Sequence, residues 1–220
     1  MDTYCSPTFY IDSDHPDIVA FSNEHAGDSQ DDLEIAIRLY YAVRDKIRYN
    51  PYSIEPLKEG MKASRILAKG EGYCVAKAVL LAACLRSRSI PARLGFADVK
   101  NHLTTGRLKE KMGTDLFVWH GYTDIFLNGK WVKATPAFNL SLCKAFGVLP
   151  LEFDGIEDSI FHPFDTRGNR HMEYVNDHGR FADLPWDEII TACQKAYPKY
   201  FDTADSVPGD FRAEALAENT

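Results

Sequence analysis

Residues 74–87 constrain the fold more than any other segment. Val75, Ala76, Ala78, Val79, Leu80, Leu81, Ala82, Ala83 and Leu85 make this stretch apolar on nearly every side of a helix. Such a helix has to be buried in the middle of a domain. It cannot cross a membrane, because its longest apolar run, Val79 to Leu85, falls far short of the roughly 20 residues a bilayer requires. The remaining elements must therefore wrap around it. Gly70-Glu71-Gly72-Tyr73 leads into this helix, and glycine permits a tight backbone approach at its head, where Cys74 stands. Pro91 then resets the backbone into a strand over about 92–99.

The flanking pattern predicts a mixed fold. Residues 1–28 carry Pro and Asp with few periodic apolar positions and read as an irregular or short-stranded lead-in. A helix starts near Ser29, where Ser29-Gln30-Asp31-Asp32 fits a capping pattern. Leu33, Ala36, Ile37, Tyr40, Val43 and Ile47 follow at helical spacing, until Asn50-Pro51 ends the segment. Ala63 to Lys69 is a short helix closed by Gly70. Residues 100–116 read as a polar loop. A hairpin follows, with Phe117 to Leu127 and Lys130 to Thr135 joined by Asn128-Gly129, a two-residue turn matched to strand twist. Beyond Pro136 the pattern is irregular until a helix over Pro185 to Ala196, with Asp183 as its cap. Residues 203–220 are polar and read as loose. The expected organisation is a lead-in (1–28), a core (29–140) and a C-terminal extension (141–220) packed on the same domain.

Composition narrows the function classes. With 45% hydrophobic and 26% charged residues the chain has an ordinary globular balance. A net charge of −7 and the lack of any Lys/Arg-rich run argue against nucleic-acid binding. The five cysteines, Cys5, Cys74, Cys84, Cys143 and Cys193, include no CxxC pair, so neither a zinc ribbon nor a disulfide framework is expected. The first residues lack the basic and apolar regions of a secretory signal, so the expected compartment is cytoplasmic, with no membrane partner. His162, His171, Glu173 and His178 match no metal-ligand spacing, and no calcium-loop motif is present. No metal or cofactor is expected.

Cys74 and His120 are the candidates for chemistry. A helix head presents unpaired N–H groups and a partial positive charge, which stabilise a thiolate. The same position also suits a small buried core residue. On an alternating strand, Val118, His120, Tyr122, Asp124 and Phe126 share one face, and an imidazole within reach of a thiol forms a thiolate–imidazolium pair. Counting back from the turn pairs Leu127 with Lys130, Asp124 with Lys133 and Tyr122 with Thr135. Thr135 becomes a diagonal neighbour of His120. Asp124 lies four residues along the strand from His120, about 13 Å away, and is expected to pair with Lys133 at the surface.

Gly70-Glu71-Gly72-Tyr73-Cys74-Val75-Ala76-Lys77-Ala78, followed by Leu85-Arg86-Ser87-Arg88-Ser89-Ile90-Pro91-Ala92-Arg93, resembles the nucleophile block of the transglutaminase-like superfamily. Trp119-His120-Gly121-Tyr122 with Leu127-Asn128-Gly129-Lys130-Trp131-Val132 resembles that family's His strand and the following G-x-W. Val43-Arg44-Asp45-Lys46-Ile47-Arg48-Tyr49 resembles its lead-in. The similarity covers roughly residues 30–140. It implies an α+β, papain-like/transglutaminase-like fold, with the nucleophile helix packed on an antiparallel sheet, Cys74 as nucleophile and His120 as general base. The family usually carries an Asp at the start of D-P-T, where this chain reads Thr135-Pro136-Ala137. A Thr hydroxyl can orient an imidazole but brings no negative charge. Thr135 and then Asn139 are the candidates for that role.

The implied chemistry is cysteine-dependent acyl transfer on an amide bond of a peptide, a protein or a small amide, without a cofactor. Water as acceptor makes a protease or amidase, and an amine makes a transglutaminase. The alternative is a binding module that keeps the cleft without turnover, favoured by Thr135. The Cys74 N–H is the expected oxyanion donor, with Tyr49 or Tyr52 as hydroxyl donors or packing residues. Lys77, one turn after Cys74, either favours the thiolate or reaches solvent. Cys84 reads as core, His102 as a loop residue, and Trp119 and Trp131 as packing.

Overall fold

The computed structural model describes residues 1–54, 56–101, 104–160, 172–202 and 209–218. His102, His162 and His171 lie outside them. The apolar segment is helix α4, Cys74–Ser87, buried from Cys74 to Arg86. Its entry is built by glycine. Helix α3 (Ala63–Lys69) ends where Gly70 adopts a φ of 68° and its N–H bonds back to the carbonyls of Ile66 and Leu67. Left-handed backbone of this kind is a common helix stop. The short strand β2 (Glu71–Gly72) then pairs in parallel with β1 (Arg48–Tyr49), the exit of helix α2 (Asp32–Lys46).

Even the charged residues of α4 are used internally. Lys77 does not reach solvent: it is 0% exposed, and its Nζ donates to the carbonyls of Arg44 (2.8 Å) and Ile47 (2.6 Å). These lie at the end of α2, where carbonyls lack helical partners. A helix buried all round leaves a lysine no open face, and burial pushes the Lys77 pKa well down. Arg86 donates to the carbonyls of Ala92, Ser6 and Ala182 in the same manner.

An antiparallel sheet packs against α4 in the order β5-β4-β3-β6. Its strands are β3 (Ala92–Asn101), β4 (Leu116–Leu127), β5 (Lys130–Ala134) and β6 (Met172–Phe181). The hairpin register is the one the turn predicts, with Leu127 opposite Lys130 and Asp124 opposite Lys133, but the ladder stops at Thr123–Ala134, short of the expected Tyr122–Thr135 pair, and the Thr135 N–H bonds the Ser159 carbonyl instead. Asn128 and Gly129 both take positive φ, as that turn requires. Thr123 docks β4 on α4 by donating to the Ala78 carbonyl (2.9 Å).

Several expectations are corrected. The lead-in holds helix α1 (Pro16–Ala26), whose buried face of Ile18, Ser22 and Ala26 is too narrow and too polar to stand out in sequence. The polar loop holds helix α5 (Gly106–Met112), capped by the Thr105 side chain and buried only at Leu108 and Met112. Within the segment read as loose, Phe211–Glu218 form a helix, buried at Phe211 and Ala215. The side-chain cap of α2 is Asp31 rather than Ser29. The late helix, Trp186–Ala196, is preceded by Pro185 rather than capped by Asp183. Asp124 shares a register with Lys133 but not a charge pair. Asp124 is 2% exposed; its carboxylate accepts from Arg93 (2.8 Å and 2.7 Å) and lies 3.6 Å from Arg180, while Lys133 pairs with Asp158 at 3.2 Å. Arg93 faces Asp124 directly across β3 and β4, and Arg180 arrives on β6 from far along the chain. Among the described residues, no helix is long and apolar enough to cross a membrane.

Candidate active site

Cys74 is the first residue of α4, with Tyr73 as the N-cap in extended conformation. Cys74 is 8% exposed. Burial pushes its pKa up to about 11, while hydrogen bonds from the backbone amides of Gly121, Val75 and Cys74 pull the other way. The helix head therefore supplies the N–H donors that a thiolate or an oxyanion needs, but they do not by themselves overcome desolvation. The Gly121 amide adds a donor from the strand side. It reaches the sulfur because Gly121 has no side chain: a Cβ there would sit 2.9 Å from the Val75 Cα. Glycine thus lets β4 close on the head of α4, one residue after His120.

His120 and Cys74 border one cleft of about 450 Å³, open mouth included. Its other walls are aromatic and aliphatic: Tyr49, Tyr73, Met112, Phe117, Ile189 and Tyr197 are among them. Tyr197 comes from beyond the late helix, α7 (Trp186–Ala196), and fixes β4 by accepting from the Val118 N–H (2.5 Å) and donating to the Leu116 carbonyl (3.1 Å). Simple alternation does not hold on the N-terminal side of His120. Ala97 faces His120 and Val99 faces Phe117, so Val118 and Trp119 together oppose Asp98 in a β-bulge. Trp119 takes a φ of 55° there.

Thr135 borders a second cavity that His120 also lines, together with Phe138, Cys143, Leu151 and Met172. The two residues therefore meet at one cavity wall. The Thr135 Oγ1 is nonetheless buried without a hydrogen-bond partner among the described residues, so it makes no bond to His120. Asn139 is turned elsewhere: its Oδ1 accepts from the Tyr49 N–H (3.3 Å) and its Nδ2 donates to Ser141 (2.7 Å). It precedes helix α6 (Leu140–Phe146) and lines neither cavity. Tyr49 packs beside the cleft against Phe138, whereas the Tyr52 hydroxyl donates to Glu214 in helix α8 (Phe211–Glu218) at 2.7 Å.

Sequence reasoning missed Gly121, Tyr197 and Cys193, which also lines the Cys74 cleft. The His120-Gly121 pair was visible, but its purpose depends on a contact with Val75 that no local pattern reveals. His178, in the stretch expected to be irregular, sits in β6 and its ring stacks on Trp119. Trp131 packs under the Arg93 guanidinium (3.9 Å). Among the described residues, no group of three His, Cys, Asp or Glu side chains is placed to hold a metal ion.

A family model described as the transglutaminase-like superfamily matches residues 19–136, more than half of the chain. The match runs from within α1 to the residue after Thr135 and contains Cys74 and His120 in order. Among solved structures, one named "Putative Cysteine Protease", from Cytophaga hutchinsonii, is similar at 18% identity and a TM-score of 0.47. That similarity covers 80% of this chain and 53% of the other. A second, named "Putative Protease", from Parabacteroides distasonis, is similar at 16% identity and a TM-score of 0.40, covering 58% and 24%. The chain thus spans about half the length of the first and a quarter of the second. Comparison with curated proteins finds no match.

Proposed function

Because the chain belongs to the transglutaminase-like superfamily, we propose that it is a cysteine-dependent acyl-transfer enzyme acting on amide bonds of a peptide, a protein or a small amide. The observation that carries this reading is the convergence at the head of α4. A buried thiol at a helix head and an imidazole-bearing strand meet at the wall of one cleft, and the amides of Gly121, Val75 and Cys74 favour the thiolate. His120 takes the proton from Cys74, the thiolate attacks the carbonyl carbon, and the amides of Cys74 and Gly121 receive the developing oxyanion. Protonated His120 then returns its proton to the leaving amine, leaving an acyl-thioester on Cys74. Water completes a hydrolase cycle, and a second amine would complete a transamidation. We favour hydrolysis. The five thiols are all free, which supports a reducing, cytoplasmic setting.

A small activated acyl ester tests this without knowledge of the natural substrate. The expected result is a burst of one leaving group per chain and an acyl adduct on Cys74, found by mass spectrometry and released by hydroxylamine. Both should vanish in Cys74→Ala and nearly vanish in His120→Ala. A burst that survives Cys74→Ala would refute the assignment. The rival reading is a binding module without turnover, and the Thr135 hydroxyl, without a hydrogen-bond partner among the described residues where a carboxylate would steady the imidazolium, favours it. No burst, together with saturable binding of amide peptides in the cleft, would establish that reading instead.

A further inference from the structure

We propose that Asp98, clamped by His178, is a positioning residue that sets the reach of His120 through the Trp119 bulge, an inference that rests on the Cys74–His120 reading above. Strand β3 runs between β4 and β6, and at Asp98 both neighbours carry extra residues. On β4 the pairing passes from Ala97–His120 to Val99–Phe117, leaving Val118 and Trp119 opposite Asp98. On β6 it shifts twice, from Phe96–Gly179 to Ala97–Asp177, leaving His178 over, and from Asp98–Asn176 to Val99–Tyr174, leaving Val175 over. The rings of Trp119 and His178 stack, with centroids 4.1 Å apart and planes at 10°. One oxygen of Asp98 ties the β4 bulge to the His178 bulge of β6. It accepts from the Trp119 N–H at 2.9 Å and lies 2.7 Å from His178 Nε2.

The location of this clamp is what connects it to chemistry. Trp119 holds a φ of 55°, a conformation that bulky side chains avoid and that persists only where surroundings enforce it. The next residue is His120. Because strand side chains alternate, losing the extra residue would reverse the face of His120 relative to Phe117. Asp98 and His178 supply the enforcement, from two strands that carry no part of the thiol. The carboxylate is also close enough for its charge to be felt at Cys193 and Tyr197, two walls of the cleft.

A pin that merely stabilises the sheet would lower the melting temperature and leave the thiol's titration alone. A positioning residue changes the titration in folded protein. The experiment measures iodoacetamide labelling of Cys74 against pH in the full chain, with circular dichroism as the check on folding. Asp98→Asn keeps an oxygen for the Trp119 N–H and should stay within about threefold of wild type, whereas Asp98→Ala should label at least about tenfold slower at pH 7, since roughly 1 Å of misplacement can cost about a hundredfold. The acid limb of the Asp98→Ala profile should move toward that of His120→Ala. Folded Asp98→Ala with a wild-type profile overturns the inference. Equal losses in Asp98→Asn and Asp98→Ala also overturn it, because charge rather than the clamp would then be responsible. Should Asp98→Ala not fold, His178→Phe keeps a ring on Trp119 and removes the partner of Asp98. It should then lose about threefold or more, and a wild-type profile there refutes the clamp. If wild type itself shows no acid limb, the Cys74–His120 reading fails as well. A limb removed by His120→Ala but untouched by the Asp98 and His178 variants overturns the positioning role alone.

Discussion

Replacing His120 with alanine separates the two forces acting on Cys74. Burial, opposed only by three backbone amides, places the thiol at about 11. At pH 7 such a group is roughly one part in ten thousand thiolate. An imidazolium at the same cleft wall should bring it to about 7, within the range of activated cysteines at helix N-termini, and so make about half of it thiolate. The gain in thiolate, roughly 5,000-fold, is offset by the lower nucleophilicity of a less basic sulfur. A Brønsted slope of about 0.45 over four pH units removes roughly sixtyfold. The net expectation is about a hundredfold faster iodoacetamide labelling in wild type than in His120→Ala at pH 7. The sign follows from the shifts: a raised thiol pKa withholds the thiolate until high pH, and the charged partner restores it at neutral pH. Labelling is read at Cys74 by mass spectrometry from pH 5 to 11, with Cys143, pushed to about 11, and Cys84, pushed to about 12, as internal references. Alanine also opens space beside the sulfur, which can only speed the variant, so a slower rate is a conservative result. Rates within about threefold at pH 7, or a wild-type limb near 11, would refute the imidazolium argument.

Three further outcomes follow from the contacts. Gly121→Ala puts a Cβ against the Val75 backbone. It should cost about 1–3 kcal/mol in chemical denaturation and slow Cys74 labelling at pH 7; unchanged stability and labelling would mean that β4 does not close on α4 as described. Asp124→Ala strands the Arg93 guanidinium and should cost about 2–4 kcal/mol, whereas Lys133→Ala should cost no more than about 0.5 kcal/mol, because its partner Asp158 is exposed. Equal costs would restore the Asp124–Lys133 pair. Thr135→Val removes a hydroxyl that has no hydrogen-bond partner among the described residues, so stability should hold or rise by up to about 1 kcal/mol, with Cys74 labelling unchanged. A tenfold loss of labelling would instead make Thr135 the group that orients His120.

What the sequence reveals about this fold follows the range of each signal. Helix α4 is legible because nearly every residue from Val75 to Leu85 is apolar, Lys77 excepted. The hairpin is legible because Asn128-Gly129 fixes the register by itself. Helices α1, α5 and α8 are hidden because each buries only two or three positions, so no apolar stripe forms. The register of Asp124 could be counted, yet its ion pair could not, since Arg180 arrives on a strand that begins at Met172.

The site divides along the same line. Cys74 is marked by the glycines before a helix head and His120 by its place on a strand, both local features. The aim of His120 is not local. It depends on an extra residue in β4 whose cause, the Asp98 carboxylate, stands on another strand and shares its oxygen with a third. Counting alternation from Val118 fails for that reason, and the failure falls beside the reacting groups. Substituting Thr135 for the family's Asp then has a physical consequence. The hydroxyl accepts no bond from His120, so position 135 supplies neither a carboxylate nor a hydrogen bond to the ring. At the bulge, Asp98 acts on the backbone ahead of His120 instead of on its ring. A carboxylate in that position can set geometry without sharing the imidazole's proton, which separates two tasks that one buried Asp performs in a triad.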